Sequence, residues 1–175
     1  MSSEINSNQK VLDRLEKLEA TNSIRNVLNR YMEICDVLDA NTDLNELMDL
    51  FTDAAIWEGI GKRYAKSFGQ LQGKQAIHEM FRAYTRKDAH FVMNAHFVNS
   101  EQISVNGHDA LGKWMMLQTS SFQDGASHLN AAKLTIDFKQ ENDTWKISHF
   151  RTENIFSRAV DKWSDQVELP VPTTT

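Results

Sequence analysis

The sequence has little cysteine and little proline: one Cys and two Pro among 175 residues. A single cysteine excludes a disulfide within the chain. Cys35 lies among apolar residues at helical spacing, which predicts a small buried hydrophobe rather than a nucleophile. We expect residues 164–175 to form a C-terminal tail, and both prolines, Pro170 and Pro172, lie in it. Proline therefore interrupts no predicted helix or strand.

Positive charge and long apolar runs are also scarce. Lys and Arg number 19 against 24 Asp and Glu, which gives a net charge of −5, whereas a nucleic-acid partner needs a clustered basic surface. No run approaches the ~20 apolar residues of a membrane helix, and residues 1–8, which we expect to be disordered, lack the apolar core of a secretory signal. We therefore expect a cytoplasmic protein with no nucleic-acid or membrane partner, acting on a small hydrophobic substrate.

Motifs for metals and nucleotides are missing as well. Neither a glycine-rich phosphate loop nor a dinucleotide fingerprint occurs. His90 and His96 lie in an extended run that would place them roughly 20 Å apart, too far to share one ion. Other histidines fall on separate predicted elements and are expected at the solvated surface: His78, His108 and His128. We expect no metal and no cofactor.

The apolar period changes along the chain from helical to extended. A first helix is expected over residues 8–39. A second, short helix is expected to start at the Asp43–Glu46 capping pair and to run through Phe51. A third is expected after Gly73 and should end at the Lys87-Asp88 pair. Strands are expected over residues 54–58, 96–105, 110–121, 128–140 and 144–156, the last four separated by turn residues. Residues 59–73 are polar and contain glycine, which favours a loop or hairpin that is a candidate lid. This order predicts one α+β domain through residue 163.

Four phrases of the sequence are RYMEICD (residues 30–36), LFTDAAIWEG (50–59), GKQAI (73–77) and HFVNS (96–100). Over roughly residues 10–158 the chain resembles SnoaL-like proteins of the nuclear-transport-factor-two-like superfamily, among them scytalone dehydratase, bile-acid dehydratase and hexachlorocyclohexane dehydrochlorinase. The resemblance implies a cone-shaped, curved, antiparallel-rich sheet with helices packed on its concave face. Such a sheet would enclose a pocket.

Asp36 and His96 are the candidate proton-transfer pair. Asp36 lies beside Cys35 on the apolar side of the first helix, where an unpaired carboxylate is costly to bury. An unperturbed imidazole titrates near pH ~6.5, so His96 is suited to move protons at neutral pH. The resemblance implies that His96 abstracts a proton while Asp36 orients and stabilises it, because the related enzymes use a histidine and an aspartate at the matching positions.

Tyr31 matches the helix tyrosine of the dehydratases, which implies a phenol that polarises a substrate oxygen. A five-residue step places Tyr31 and Asp36 about 140° apart on an ideal helix, so spacing alone would not pair them. A core aromatic with a satisfied hydroxyl is an equal alternative for Tyr31.

Six further residues are candidates for binding the substrate: Arg151, Trp57, Phe68, Trp114, Met116 and Phe150. Arg151 would approach a substrate oxygen from the last strand, although such an arginine more often pairs with a carboxylate such as Glu153. The aromatic and methionine side chains would line an apolar pocket, or serve as plain core. Residues 130–133 (NAAK) depart from the glycine and tyrosine that the family usually has in this strand.

The favoured function is a cofactor-independent lyase or isomerase, dehydratase-like, for a cyclic, steroid-like or polyketide-like substrate. Alternatives are a ligand-binding or assembly subunit resembling the small subunit of ring-hydroxylating dioxygenases, and a polyketide cyclase or ketosteroid-isomerase-like enzyme. A homodimer or homotrimer through the sheet is expected, because a small cone should not accommodate four large aromatic residues: Trp114, Phe122, Phe138 and Trp145.

Overall fold

A computed structural model describes residues 2–85 and 89–163 of the chain. The helices are α1 (Ser2–Asp36), α2 (Leu44–Asp49), α3 (Gly61–Ser67) and α4 (Lys74–Arg82). The strands are β1 (Phe51–Ile60), β2 (Gln70–Gln72), β3 (Met93–Asn106), β4 (Asp109–Ser121), β5 (Ser127–Glu141) and β6 (Thr144–Val160). The Lys87-Asp88 pair and the predicted tail at residues 164–175 lie outside the described residues.

The six strands form one open sheet in the order β2-β1-β6-β5-β4-β3. Strands β3 to β6 form an antiparallel meander, whereas β1 runs parallel to β6 and antiparallel to β2. The turn residues act as predicted, since Gly107, Asn142 and Asp143 adopt positive φ between the paired strands. The helices pack on this sheet, and the sheet does not close into a barrel. This arrangement confirms the predicted α+β class.

Helix α1 begins at Ser2, within the segment for which disorder was expected. Neither Gly nor Pro occurs between Ser2 and Asp36, and nothing in the sequence therefore breaks the helix there.

The second helix is shorter than predicted and ends at Asp49. Leu50 is the C-cap residue and Phe51 starts β1; the Leu50 carbonyl already accepts a 2.7 Å hydrogen bond from the Ile147 N–H in β6. Asp43 caps α2 by accepting from the Asn45 N–H at 2.9 Å, while Glu46 bonds Arg30 rather than completing a capping pair.

The candidate lid at residues 59–73 contains helix α3 and the short strand β2 rather than a plain loop. Gly59 allows this arrangement, because a Cβ there would lie 2.5 Å from the Tyr64 carbonyl oxygen of α3. Gly73 closes the segment by donating a 2.8 Å hydrogen bond to the Ala55 carbonyl in β1. The segment is therefore tied to β1 at both ends.

The core lies between the sheet and the C-terminal half of α1, and it accommodates more aromatic side chains than expected. Trp114, Phe138 and Trp145 are all buried within this one chain. Gly112 makes room for Trp114, since a Cβ on Gly112 would lie 2.1 Å from the indole ring. The argument that these side chains need a second subunit is therefore wrong, and the oligomeric state stays a prediction.

Candidate active site

Asp36 and His96 meet where the end of α1 crosses β3. The carboxylate Oδ1 of Asp36 lies 2.6 Å from Nδ1 of His96. The same carboxylate accepts the His96 backbone N–H, at 3.1 Å to Oδ1 and 3.3 Å to Oδ2. Asp36 therefore holds both the ring and the backbone of His96, which fixes the direction of the imidazole.

A cavity adjoins His96. The His96 side chain is only 11% exposed and lines that cavity. A neutral imidazole whose Nδ1–H donates to a carboxylate carries its lone pair on Nε2. Within residues 2–85 and 89–163, no hydrogen bond to Nε2 is found. A nitrogen in that state can accept a proton, which is what general base catalysis requires.

The cavity has a volume of about 330 Å³ and lies between the helices and the sheet. Its walls combine apolar and aromatic side chains with neutral amides, hydroxyls and histidines. Among the described residues, none that lines it is a Lys, Arg, Asp or Glu. A cationic ligand would therefore lose its hydration here without gaining a carboxylate counter-ion from these residues.

Tyr31 lies inside the aromatic wall of the cavity. It is 5% exposed, and its ring centroid lies 4.9 Å from that of Phe150. Its hydroxyl accepts a 3.1 Å hydrogen bond from the Trp57 indole N–H, which leaves the O–H proton to donate elsewhere. Burial raises the pKa of Tyr31 well above its ordinary value, so the phenol stays protonated. Tyr31 is therefore a core aromatic with a partnered hydroxyl that also lines the cavity, and its role as a donor to a substrate stays a prediction.

Cys35 also lines the cavity, as a small buried side chain. The side chain is 6% exposed, and burial raises the pKa of its thiol far above the ordinary range. A protonated thiol is unreactive, which confirms the prediction of a small buried hydrophobe.

A chain of neutral polar groups lines the sheet side of the cavity, and the sequence analysis missed it. Asn94 accepts hydrogen bonds from Gln118 at 2.9 Å and from Ser120 at 2.8 Å. Its own amide donates to the carbonyl of Cys35 at 3.1 Å, immediately before Asp36. Asn94 therefore ties the end of α1 to the strand that carries His96.

The same chain continues to α3. Asn130 donates to the Gln118 side-chain oxygen at 3.2 Å and to the Tyr64 hydroxyl at 2.7 Å. Asn154 donates to the Asn130 side-chain oxygen at 2.9 Å. Strand alternation could have indicated part of this chain, because Asn94 shares a face of β3 with His96.

Four of the predicted substrate-binding residues line the cavity: Trp57, Phe68, Met116 and Phe150. Trp57 stacks on Phe150 with ring centroids 5.7 Å apart, and Phe68 meets Trp57 edge-on. Trp114 does not line the cavity. Its indole N–H donates to Glu101 at 3.3 Å and its ring packs against Phe138.

Arg151 is not among the cavity-lining residues either, contrary to the prediction. On β6 it alternates with Phe150 and Thr152, which line the cavity, so its side chain lies on the opposite, outer face of the sheet. Its guanidinium bonds the Asp137 carboxylate and donates to the Thr135 carbonyl at 3.3 Å. The predicted pairing with a carboxylate therefore occurs, but with Asp137 across the strand pair rather than with Glu153.

The remaining histidines divide between the cavity and the surface. His90 and His128 line the cavity, so the expectation that His128 is a surface residue is wrong; its Nε2 lies 3.0 Å from the Ser157 hydroxyl. His108 is exposed as predicted, whereas His78 is half-buried. In the described part of the chain, no three His, Cys, Asp or Glu side chains come together as a metal site. In the same part, no helix is long and apolar enough to cross a membrane.

A sequence profile of the SnoaL-like domain family matches residues 16–151. No curated protein matches the sequence. Solved structures match across most of the chain. The type 3 hexachlorocyclohexane dehydrochlorinase of Novosphingobium barchaimii LL02 aligns with a TM-score of 0.68 and 15% identity, over 91% of this chain and 99% of that one.

Two structures from Novosphingobium aromaticivorans are also similar. A candidate aromatic ring hydroxylase aligns with a TM-score of 0.70 and 16% identity, over 82% of this chain and 94% of that one. A candidate scytalone dehydratase aligns with a TM-score of 0.66 and 12% identity, over 86% of this chain and 97% of that one. At these identities the likeness shows the fold.

Proposed function

The chain belongs to the SnoaL-like domain family, and from that premise we propose that it is a cofactor-independent lyase or isomerase with His96 as its base. The observation that carries the proposal is the 2.6 Å contact between Asp36 and His96 at the wall of a cavity that no described Lys, Arg, Asp or Glu lines. The dehydrochlorinase and the candidate dehydratase that share the fold support an elimination reaction.

The proposed reaction begins with proton removal. Nε2 of His96 takes a proton from a carbon beside a carbonyl, and the electron pair of that C–H bond moves toward the carbonyl oxygen. Asp36 stabilises the resulting imidazolium through Nδ1. In the lyase form, a hydroxyl on the next carbon leaves as water with the proton returned from Nε2, and a C=C bond forms. In the isomerase form, the proton returns to another carbon.

Tyr31 is the proposed donor to the substrate oxygen. Its phenol is kept protonated by burial, and its hydroxyl already accepts from Trp57, which orients the remaining O–H. A hydrogen bond to an oxygen that gains charge is stronger in the transition state than in the ground state. Tyr31 would therefore favour the enolate-like state.

The proposed substrate is small, cyclic and neutral. A cavity of about 330 Å³ accommodates a compact ring compound, and pockets of this kind are lined mainly by apolar groups with a few polar ones that orient the ligand. Among the described residues no Lys or Arg lines the cavity to bind a carboxylate or phosphate, which supports a neutral substrate.

The test is turnover of hydroxylated and enolisable cyclic ketones, followed by mass spectrometry. A product lighter than the substrate by one water indicates a lyase. A product of unchanged mass with a changed fragmentation spectrum indicates an isomerase. His96→Ala should abolish either change, with His149→Ala as the matched control. Full activity of His96→Ala would contradict the proposal.

A second candidate is an assembly subunit, which the likeness to the candidate aromatic ring hydroxylase favours. Such a subunit needs no ordered base. Failure of the wild-type chain to convert or bind any ketone of the panel would favour this second function.

A further inference from the structure

The first half of α1 carries an apolar stripe that its own domain does not cover. From residue 7 to residue 19 every side chain is exposed, and we call this segment the arm. Its large apolar residues form the arm stripe: Val11 (59% exposed), Leu12 (51%), Leu15 (49%) and Leu18 (66%). In globular proteins most helical stability comes from packing of an apolar face, so an uncovered stripe indicates a missing partner.

The arm stripe points away from the body of the domain. Further along α1 the buried face is formed by Ile24, Leu28, Tyr31 and Cys35. At about 100° per residue, the mean directions of the two faces differ by about 160°. The Arg25 guanidinium, bonded to Glu101 at 3.0 Å, fixes the helix just after the arm. The domain to which the arm belongs therefore cannot cover the stripe unless the helix breaks.

The spacing of the stripe is that of a coiled-coil heptad. With Leu15 at position a, Val11 and Leu18 fall at d, and Asn22 falls at the next a position. Asn8 falls at the preceding a position, so an Asn stands at a on each side of Leu15. Polar Asn at a positions favours two strands in one register, at a cost in stability.

The flanking charges are self-complementary in one orientation. Arg14 falls at g and Glu19 at e. In a parallel pair, position g of one chain faces position e of the other chain five residues further on. Arg14 of each chain would therefore face Glu19 of the partner, giving two oppositely charged pairs.

We propose that the arm is an interface with a second copy of this chain, paired in parallel and in register through the arm stripe. The folded body anchors α1 from Ile24 onward, so the arm extends an existing helix and avoids the unfavourable nucleation of a free one. This surface is separate from the sheet.

Disulfide cross-linking of the full-length chain tests the register. In a parallel, in-register pair, two residues at the same a position lie close enough for a disulfide. Leu15→Cys should therefore cross-link into a dimer under mild oxidation. The natural Cys35 is buried and does not compete. Lys17→Cys is the matched control, because it lies on the same helix but away from the stripe. Equal cross-linking of both variants, or of neither, would overturn the proposal.

Charge reversal tests the pairing without touching the apolar stripe. Arg14→Glu and Glu19→Arg should each raise the dimer dissociation constant by about tenfold in low salt, because each replaces two attractive pairs with repulsive ones. The double variant should restore wild-type association. Lys17→Glu makes the same charge change on the other side of the helix and should have no effect. Sedimentation equilibrium measures all four; a monomeric wild type, or a double variant as weak as the single ones, overturns the proposal.

Discussion

The molecule contains two histidine–carboxylate pairs of nearly equal geometry on opposite faces of its sheet. His96 Nδ1 lies 2.6 Å from Asp36, and His149 Nε2 lies 2.7 Å from Glu58. Both histidine side chains are partly buried, at 11% and 22% exposure. Distance and burial therefore do not distinguish them.

The two pairs differ in what the second ring nitrogen faces. Nδ1 of His149 lies 3.8 Å from Asp137, which Arg151 also bonds, so carboxylates flank both nitrogens of this ring. His96 lines the cavity instead, and among the described residues no hydrogen bond to its Nε2 is found. The His149 group joins β1, β5 and β6 as a structural network, whereas no carboxylate of the described residues contacts the second ring nitrogen of His96. A histidine–carboxylate contact becomes a candidate site only beside a cavity.

Removing either member of the cavity pair, His96 and Asp36, should have the largest effect on turnover. His96→Ala and Asp36→Asn should each lower turnover of a cyclic ketone by ~10²–10⁴, the range expected when acid–base catalysis is lost. Because the two residues act as a unit, the double variant should be little worse than either single one. Steady-state kinetics gives the factor, and thermal melting should show that all three variants stay folded. Global unfolding of both single variants would indicate a structural pair instead.

Asn94 sharpens the comparison, because it positions the cavity pair without being a member of it. Asn94→Ala removes the hydrogen bond to the Cys35 carbonyl and frees the end of α1 beside Asp36. We expect turnover to fall by about tenfold, since small displacements of catalytic groups lower rates. Asn99→Ala, on the exposed side of the same strand, is the control. Equal kinetics for these two variants would remove Asn94 from this role.

The cavity wall should also respond to alkaline pH. Burial raises the pKa of Tyr31 above its ordinary value of 10.0, so the folded chain keeps a proton that the unfolded chain loses. The free energy of unfolding should therefore fall as the pH rises above about 10, by at most about 1.4 kcal/mol per pH unit from this group. Denaturant titrations at several pH values should show that the free energy of unfolding of Tyr31→Phe falls less steeply with pH than that of wild type. An unchanged slope in that variant would contradict the assignment.

Changing the outer pair, His149 and Glu58, should have the smallest effect on turnover. His149→Ala should leave turnover within about twofold of wild type and lower the free energy of unfolding by about 1 kcal/mol, the net value of a hydrogen bond. A loss of turnover comparable to that of His96→Ala would erase the distinction between the two pairs.

The sequence predicted the meander well because its signals are local. Alternation and turn residues such as Gly107 and Asn142 identify strands without knowledge of their neighbours. The extent of α1 and the presence of α3 were not predicted, since weakly patterned polar segments have no strong local signal. The partner of Arg151 depended on cross-strand register, which places it opposite Thr135 and near Asp137. Register of this kind is set by tertiary packing.

The candidate site was only partly predictable. Asp36 and His96 are sixty residues apart, and family resemblance rather than spacing paired them. The neutral amides were missed because asparagine and glutamine occur widely on protein surfaces. Asn94 and Gln118 acquire a role only where two strands bring them to one cavity wall.

Deuterium exchange at carbon tests the central claim most directly, because it reports proton abstraction whether or not elimination follows. A neutral cyclic ketone is incubated in D2O with wild type, His96→Ala or His149→Ala, and exchange beside the carbonyl is followed by NMR. The account predicts enzyme-dependent exchange with wild type and His149→Ala, and only the background rate with His96→Ala. Exchange by His96→Ala at the wild-type rate would contradict it.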